Sequence, residues 1–191
     1  MQFNNYKTDS ASYTYTQGLS GISMDNANSF VVQYDITVTT PSAGVFTAAA
    51  SNICTKAAHA MTTGLKVQVS SATTLPGGLS AATDYFVISL SANTFSLAAS
   101  LADAQAGTAI DITDAGTGAH TITPTALAGG VLKMQESPNG TDWYDISGVT
   151  ANITATVKAL FQSTSKCGQV RPYLTMTAGQ VSVQLTVNTK E

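Results

Sequence analysis

Apolar and polar residues alternate over three long stretches of the chain. Phe30, Val32, Tyr34, Ile36 and Val38 share one parity, and Val31, Gln33, Asp35 and Thr37 the other. Leu132 and Met134 alternate with Lys133 and Gln135, and Val181, Val183, Leu185 and Val187 with Ser182, Gln184 and Thr186. Neighbouring side chains of a β-strand point to opposite faces, so each stretch predicts a strand with one buried face. Shorter alternations predict strands over 13–16, 143–146, 153–157 and 170–176. The segment Ser137-Pro-Asn-Gly-Thr-Asp142 separates the strand at Val131 from the one at Trp143. Asn-Gly accommodates the positive φ of a tight turn, so 131–146 predicts a β-hairpin with that turn at its tip.

Between about 45 and 130 the pattern changes. Ala, Thr, Gly and Ser dominate, and the predicted strands are short. Leu65, Val67 and Val69 mark one. Phe86, Ile88 and Leu90 mark another, with Tyr85 and Val87 on its opposite face. Phe95 and Leu97 begin a third after a turn at Ser91-Ala-Asn93, and Ile110 and Ile112 mark a fourth. Leu75-Pro-Gly-Gly-Leu79 punctuates the first two. Residues 100–105 are the predicted helix. Ser100 caps it, Asp103 sits at the third helical position where a carboxylate favours the N-terminus, and Gly107 ends it.

These elements predict an all-β fold with a nested layout. A β-sandwich base domain is expected from 1–44 plus 131–191. A small β domain carrying the one short helix, 45–130, is expected to be inserted in it. About 44 N-terminal residues cannot bury the face of the Phe30 strand alone, because a lone hairpin is marginal in water. Insertion at a loop tip costs little.

Composition narrows the function classes. The 191 residues are 43% hydrophobic, enough for a core without staples. Only 10% are charged, against about 25% in an average chain. Charge depletion marks surfaces that pack against other subunits. The net charge is −3 and the eight Lys and Arg are scattered. No clustered basic patch is present for nucleic acid or for an anionic membrane. No apolar stretch approaches the roughly 20 residues that span a bilayer. The N-terminal Met1-Gln-Phe-Asn-Asn-Tyr-Lys7 lacks the basic region and apolar core of a signal peptide, so synthesis in a cytoplasm is expected. Cys54 and Cys167 lie in no CxxC or CxxH context and are expected to be free buried thiols.

Two resemblances add to this reading. Thr63-Gly64, Leu75-Pro-Gly-Gly-Leu79-Ser80-Ala81, Thr83-Asp84-Tyr85-Phe86-Val87-Ile88 and Asn93-Thr94-Phe95-Ser96-Leu97-Ala98 continue into Gly107-Thr-Ala-Ile-Asp-Ile-Thr-Asp-Ala-Gly-Thr-Gly118. The series resembles a small β module widespread in bacteriophage virion proteins, especially tail, fibre and other surface proteins. Val131-Leu-Lys-Met-Gln-Glu-Ser-Pro-Asn-Gly-Thr-Asp-Trp-Tyr-Asp-Ile146, with Val170-Arg-Pro-Tyr-Leu-Thr-Met176 and Val181-Ser-Val-Gln-Leu185, is similar to small phage structural proteins built as jelly-roll or discoidin-like sandwiches. The resemblance implies a jelly-roll-like base and a place in a virion. It carries over no binding residue.

Motifs for chemistry are missing. His59 and His120 stand in no HxxxH or HExxH spacing, and no GxSxG elbow occurs. Gly116-Thr-Gly118 is followed by a predicted strand at His120 rather than by the Lys and helix of a phosphate loop. Asp103, Asp111 and Asp114 lack EF-hand spacing and read as turn residues, as do Asp84, Asp142 and Asp145. No enzyme, cofactor or metal is expected.

The expected function is a structural component of a tailed-phage virion, foremost a capsid decoration or cement protein acting by subunit packing. A tail, neck or fibre component is the next reading, and a carbohydrate-binding module for host attachment the third. The expected partners are copies of the chain itself, as an oligomer, and other virion proteins such as major capsid or tail proteins, with host surface glycans under the third reading. Trp143, Tyr144 and Asn139 are the candidate glycan or partner contacts, with Tyr13, Tyr15 and Tyr173 as further aromatics. Trp is mostly buried in folded domains, so Trp143 is expected to be a core anchor, the exposed sugar-stacking Trp being the alternative.

Overall fold

The computed structural model of the chain describes residues 3–13, 17–18, 21–24, 29–164 and 167–190. Its first strands are β1 (Phe3–Tyr13), β2 (Gln17–Gly18), β3 (Ile22–Ser23) and β4 (Ser29–Val38). The middle holds β5 (Gly44–Ala48), β6 (Cys54–Thr55), β7 (Lys66–Ser71), β8 (Tyr85–Ser89), β9 (Thr94–Ala98), helix α1 (Leu101–Ala106) and β10 (His120–Pro124). The rest is β11 (Gly129–Ser137), β12 (Tyr144–Ile153), β13 (Val157–Thr164), β14 (Gln169–Ala178) and β15 (Val181–Lys190). The protein is all-β, and among the described residues every element but α1 is a strand. It divides into two compact units, one of residues 1–39, 127–177 and 181–191, the other of 40–126 and 178–180.

The first unit has two sheets, ordered β1-β15-β4-β13 and β12-β11-β14-β2, with β3 also pairing β14. β4 is central. It pairs antiparallel with β15, from Val181↔Val38 to Lys190↔Ser29, and with β13, from Val157↔Ile36 to Thr164↔Ser29. The alternating residues of the three long stretches face one core. Phe30, Val32 and Ile36 of β4 meet Val183, Leu185 and Val187 of β15, Leu132 and Met134 of β11, and Ile153 and Leu174. Each such side chain withdrawn from water contributes about 1.5–3 kcal/mol.

Several expected strands change. β1 has no apolar alternation and is assembled by its ladder to β15, from Phe3↔Lys190 to Tyr13↔Val181. Of the strand expected at 13–16, only Tyr13 lies among the described residues, at the end of β1. The strand expected at 143–146 runs on to Ile153, with 146–149 bulged opposite Met134. The strand expected at 153–157 is instead the turn between β12 and β13, where Thr156 Oγ1 accepts the Val38 N–H at 3.1 Å.

The second unit is a closed antiparallel barrel, ordered β10-β5-β6-β9-β8-β7. Closure leaves no open sheet edge. Phe46, Cys54, Leu65, Val67, Val87, Phe95, Leu97 and Ile122 fill the interior. Tyr85 and Val87 face inward from β8, while Ile88 faces out and is covered, with Ala98, by Ala104 of α1. That explains why β8 is apolar on both faces. The helix has the expected ends: Ser100 Oγ accepts the Asp103 N–H at 3.1 Å, and Gly107 follows its last residue. Ile110 and Ile112 form no strand. Their N–H groups donate to the Leu97 carbonyl and to Asn52 Oδ1, both at 2.7 Å, rather than to a ladder. β5 and β6 carry too few apolar residues to announce themselves and are placed by their pairing and by Phe46 and Cys54 in the barrel core.

Gln180, from the β14–β15 turn, is buried in this unit. Its Oε1 accepts from Thr62 N at 3.0 Å and Thr62 Oγ1 at 2.9 Å, and its Nε2 donates to the Ala60 carbonyl at 3.1 Å. Gln180→Ala strands these partners, and we expect a loss of about 1–3 kcal/mol in urea unfolding. An unchanged midpoint would show that water replaces the amide.

Candidate functional site

The outward face of β11, β12 and β14 carries a connected group of aromatic and charged side chains. Strand alternation builds it. Leu132 and Met134 point into the core from β11, so Lys133 and Gln135 point out. Val170, Pro172 and Leu174 are buried on β14, so Arg171 and Tyr173 share the outer face. Register adds Asp145 of β12 directly opposite Gln135.

The group forms one connected belt. Arg171 Nε donates to Gln135 Oε1 at 2.9 Å. Gln135 Nε2 donates to Asp145 Oδ1 at 2.8 Å, and Lys133 Nζ donates to Asp145 Oδ2 at 2.6 Å. The Arg171 guanidinium carbon lies 4.1 Å from the Trp143 ring centre and 5.6 Å from that of Tyr173, and Lys133 Nζ lies 5.1 Å from Tyr173. Cations over aromatic faces are attracted by the ring quadrupole. Burial lowers the pKa of Arg171, with Tyr173 acting the other way.

Trp143 is not a core anchor. It is half-buried on this outer face, beneath Arg171, and takes no part in the sandwich core. Gly21 makes room for it: a Cβ there would sit 3.2 Å from Trp143 Cη2 and 3.1 Å from Gln169 Oε1. Tyr144, the next residue, is 61% exposed. Asn139 organises the hairpin turn. Its Oδ1 accepts the N–H groups of Thr141 and Asp142, both at 2.9 Å, and its Nδ2 donates to Asp142 Oδ2 at 2.7 Å. Gly140 takes the positive φ of +77° that the turn requires. Tyr15 lies outside the described residues. The sequence singled out Trp143 and Tyr173 but not Arg171, whose partners come from three strands.

The Lys133 hydrogen bond, then that of Gln135, holds the Asp145 carboxyl below its usual pKa. A depressed folded-state pKa contributes stability above the unfolded value of about 3.9, lost as pH falls through the folded value. The Asp145 side chain is 54% exposed, so screening keeps this under about 1 kcal/mol. Asp145→Asn should flatten this part of the acid limb in urea unfolding at neutral and acid pH; an unchanged acid limb would show that the pair contributes nothing. The barrel repeats the clip, with Asp84 between Lys66 at 2.9 Å and Gln68 at 2.8 Å.

The other candidate groups have structural partners. His59 accepts the Met61 N–H at Nδ1 (3.0 Å) and donates from Nε2 to the Thr94 carbonyl (3.3 Å). His120 donates from Nε2 to the Ala115 carbonyl at 2.9 Å. Asp103 accepts from Ser100 Oγ, and Asp114 accepts the N–H groups of Gly77 and Gly116. Among the described residues, no three His, Cys, Asp or Glu side chains gather as a metal site, and no helix is long and apolar enough to cross a membrane.

Neither cysteine forms a disulfide; Cys54 is buried but Cys167 is only half-buried, which corrects the expectation for the latter. Burial pushes the Cys54 thiol up to about 12. In Cys167→Ser, Cys54 is expected to resist a thiol reagent at neutral pH until the protein unfolds, because the thiolate is the reactive form. Rapid labelling of the native variant would contradict that burial.

The fold and this belt define an all-β protein of two units, with a cationic–aromatic sheet face. No family model matches the chain, and no curated protein matches it. Among solved structures it is similar to VP17, a capsid protein of bacteriophage P23-77, at 9% identity and a TM-score of 0.31, over 100% of both chains. It is also similar to the VP16-VP17 complex of the two major capsid proteins of bacteriophage P23-77, at 6% identity and a TM-score of 0.25, over 97% of this chain and 100% of that one. Likenesses of this size carry neither a fold nor a role.

Proposed function

We propose that the chain is a non-enzymatic structural component of a bacteriophage virion, a capsid decoration or cement protein that acts by subunit packing. The observation that supports this reading is the strand order of the first unit. With β2 and β3 counted as one broken strand along β14, its eight strands in chain order form sheets 1-8-3-6 and 2-7-4-5. We read that order as a jelly roll, an architecture of viral capsid and lectin domains. Fold alone does not give function. The capsid reading is favoured over the lectin reading by two features. Only 10% of residues are charged, which suits a surface covered in an assembly. The Trp143 ring is stacked with Arg171 rather than bare for a sugar.

In this reading the partners are copies of the chain and other virion proteins. Trp143 and exposed Tyr144 are contact residues, and Asn139 acts by shaping their turn. The test is reconstitution. Particles of the encoding phage that lack this protein are mixed with the purified chain and sedimented. Saturable addition to capsids is expected. Addition to tails alone would move the protein to the tail, neck or fibre, and no addition to any particle would overturn the proposal.

A further inference from the structure

Arg171 is half-buried and has no counterion among the described residues. Its Nε–H is used by Gln135, and its guanidinium carbon lies over the Trp143 ring at 4.1 Å and over the Tyr173 ring at 5.6 Å. The ion pairs of the described residues involve Lys66, Lys133 and Lys158, and Arg171 makes none. Its terminal N–H groups therefore keep the planar fork that binds a carboxylate in bidentate fashion. Trp, Tyr and Arg are also the residues that dominate protein–protein contact energies when clustered.

The chain itself carries the complement. It has 11 acidic residues to 8 basic ones. Most described carboxylates are occupied: Asp35, Asp84 and Asp145 pair with lysines. Asp103, Asp114 and Asp142 accept hydrogen bonds from Ser100, from Gly77 and Gly116, and from Asn139, and Glu136 also has a partner. Asp111 is exposed and, among the described residues from β4 to β15, is the carboxylate left without one.

We propose that the Arg171 face is the receiving side of a contact between copies of this chain, in which the Arg171 fork takes the Asp111 carboxylate of a second copy. The two surfaces differ, so the contact is head-to-tail and builds a ring or a filament rather than a two-fold dimer. The inference deepens the assembly reading above and rests on it.

The chain's single Trp is Trp143, which makes its fluorescence a direct report on the site. Sedimentation velocity and Trp emission are followed together as the concentration of the whole chain rises. Association with an emission change is expected. Arg171→Lys, which keeps the charge but loses the fork, and Asp111→Asn are each expected to weaken association by about tenfold or more. The double exchange Arg171→Asp with Asp111→Arg is expected to recover it. Thermal midpoints close to wild type verify that the single variants are folded, and Asp111→Asn, at an exposed site, keeps the test open if Arg171→Lys is not. A chain that stays monomeric with constant emission overturns the contact, as does association that both single variants leave intact. An emission change on adding polygalacturonate to a monomeric chain overturns it in favour of an acidic glycan. Addition to virus particles without self-association removes this contact while the virion reading survives; failure of both removes both.

Discussion

Leu185→Asp is expected to leave the first unit unfolded. Leu185 is 2% exposed in the sandwich core. It stands in β15 directly between Tyr34 of β4 and Asp9 of β1. Replacing it removes about 2 kcal/mol of apolar burial. It also places a carboxylate where no described cation reaches it. The group either ionises at a cost of several kcal/mol or stays protonated and unsatisfied. Together these losses approach the 5–15 kcal/mol that holds a typical domain together. Far-UV circular dichroism and Trp143 emission report the outcome, since Trp143 lies on the same unit. A variant that melts cooperatively near the wild-type temperature would mean that the faces of β15 are reversed.

Phe95→Ala is expected to cost about 3–5 kcal/mol, the range for truncating a buried aromatic. The ring is fully buried in the barrel, 6.0 Å from the Phe46 ring and 5.4 Å from that of His59. Barrel closure works against relaxation around the cavity, because each strand is fixed on both sides. Urea unfolding followed by circular dichroism measures the loss. A loss below about 1 kcal/mol would show that the barrel collapses around the missing ring, contrary to a rigid closed ladder.

The long strands that were legible are those whose burial is one-sided. Phe30 to Val38 and Val181 to Val187 each sit against a core on one face, so period two is printed in residue type. The 131–146 hairpin was legible because its turn chemistry is local: Asn139 caps its own turn and Gly140 supplies the positive φ. The helix was legible for the same reason, through Ser100 and Gly107. β1 was not, because Phe3–Tyr13 takes its strand geometry from β15 and has no pattern of its own. Ile110 and Ile112 misled in the other direction. Their alternate spacing is that of a strand, yet the backbone donors find the Leu97 carbonyl and an Asn52 side chain.

The candidate site divides along the same line. Trp143 and Tyr173 stand out by type alone. Arg171 stands out only once β14 lies beside β11, because the stack on Trp143 and the bond to Gln135 join residues 28 and 36 positions apart, 171 less 143 and 171 less 135.

By itself the sequence determined the all-β class, the faces of the long strands, the hairpin turn and the helix ends, since each follows from nearest neighbours and from which side chains leave water. Tertiary structure alone decided the sheet order, the closing of the barrel and the belt around Arg171. These depend on which strands meet, and that choice is made by loop closure and by the shared core rather than by any local residue preference.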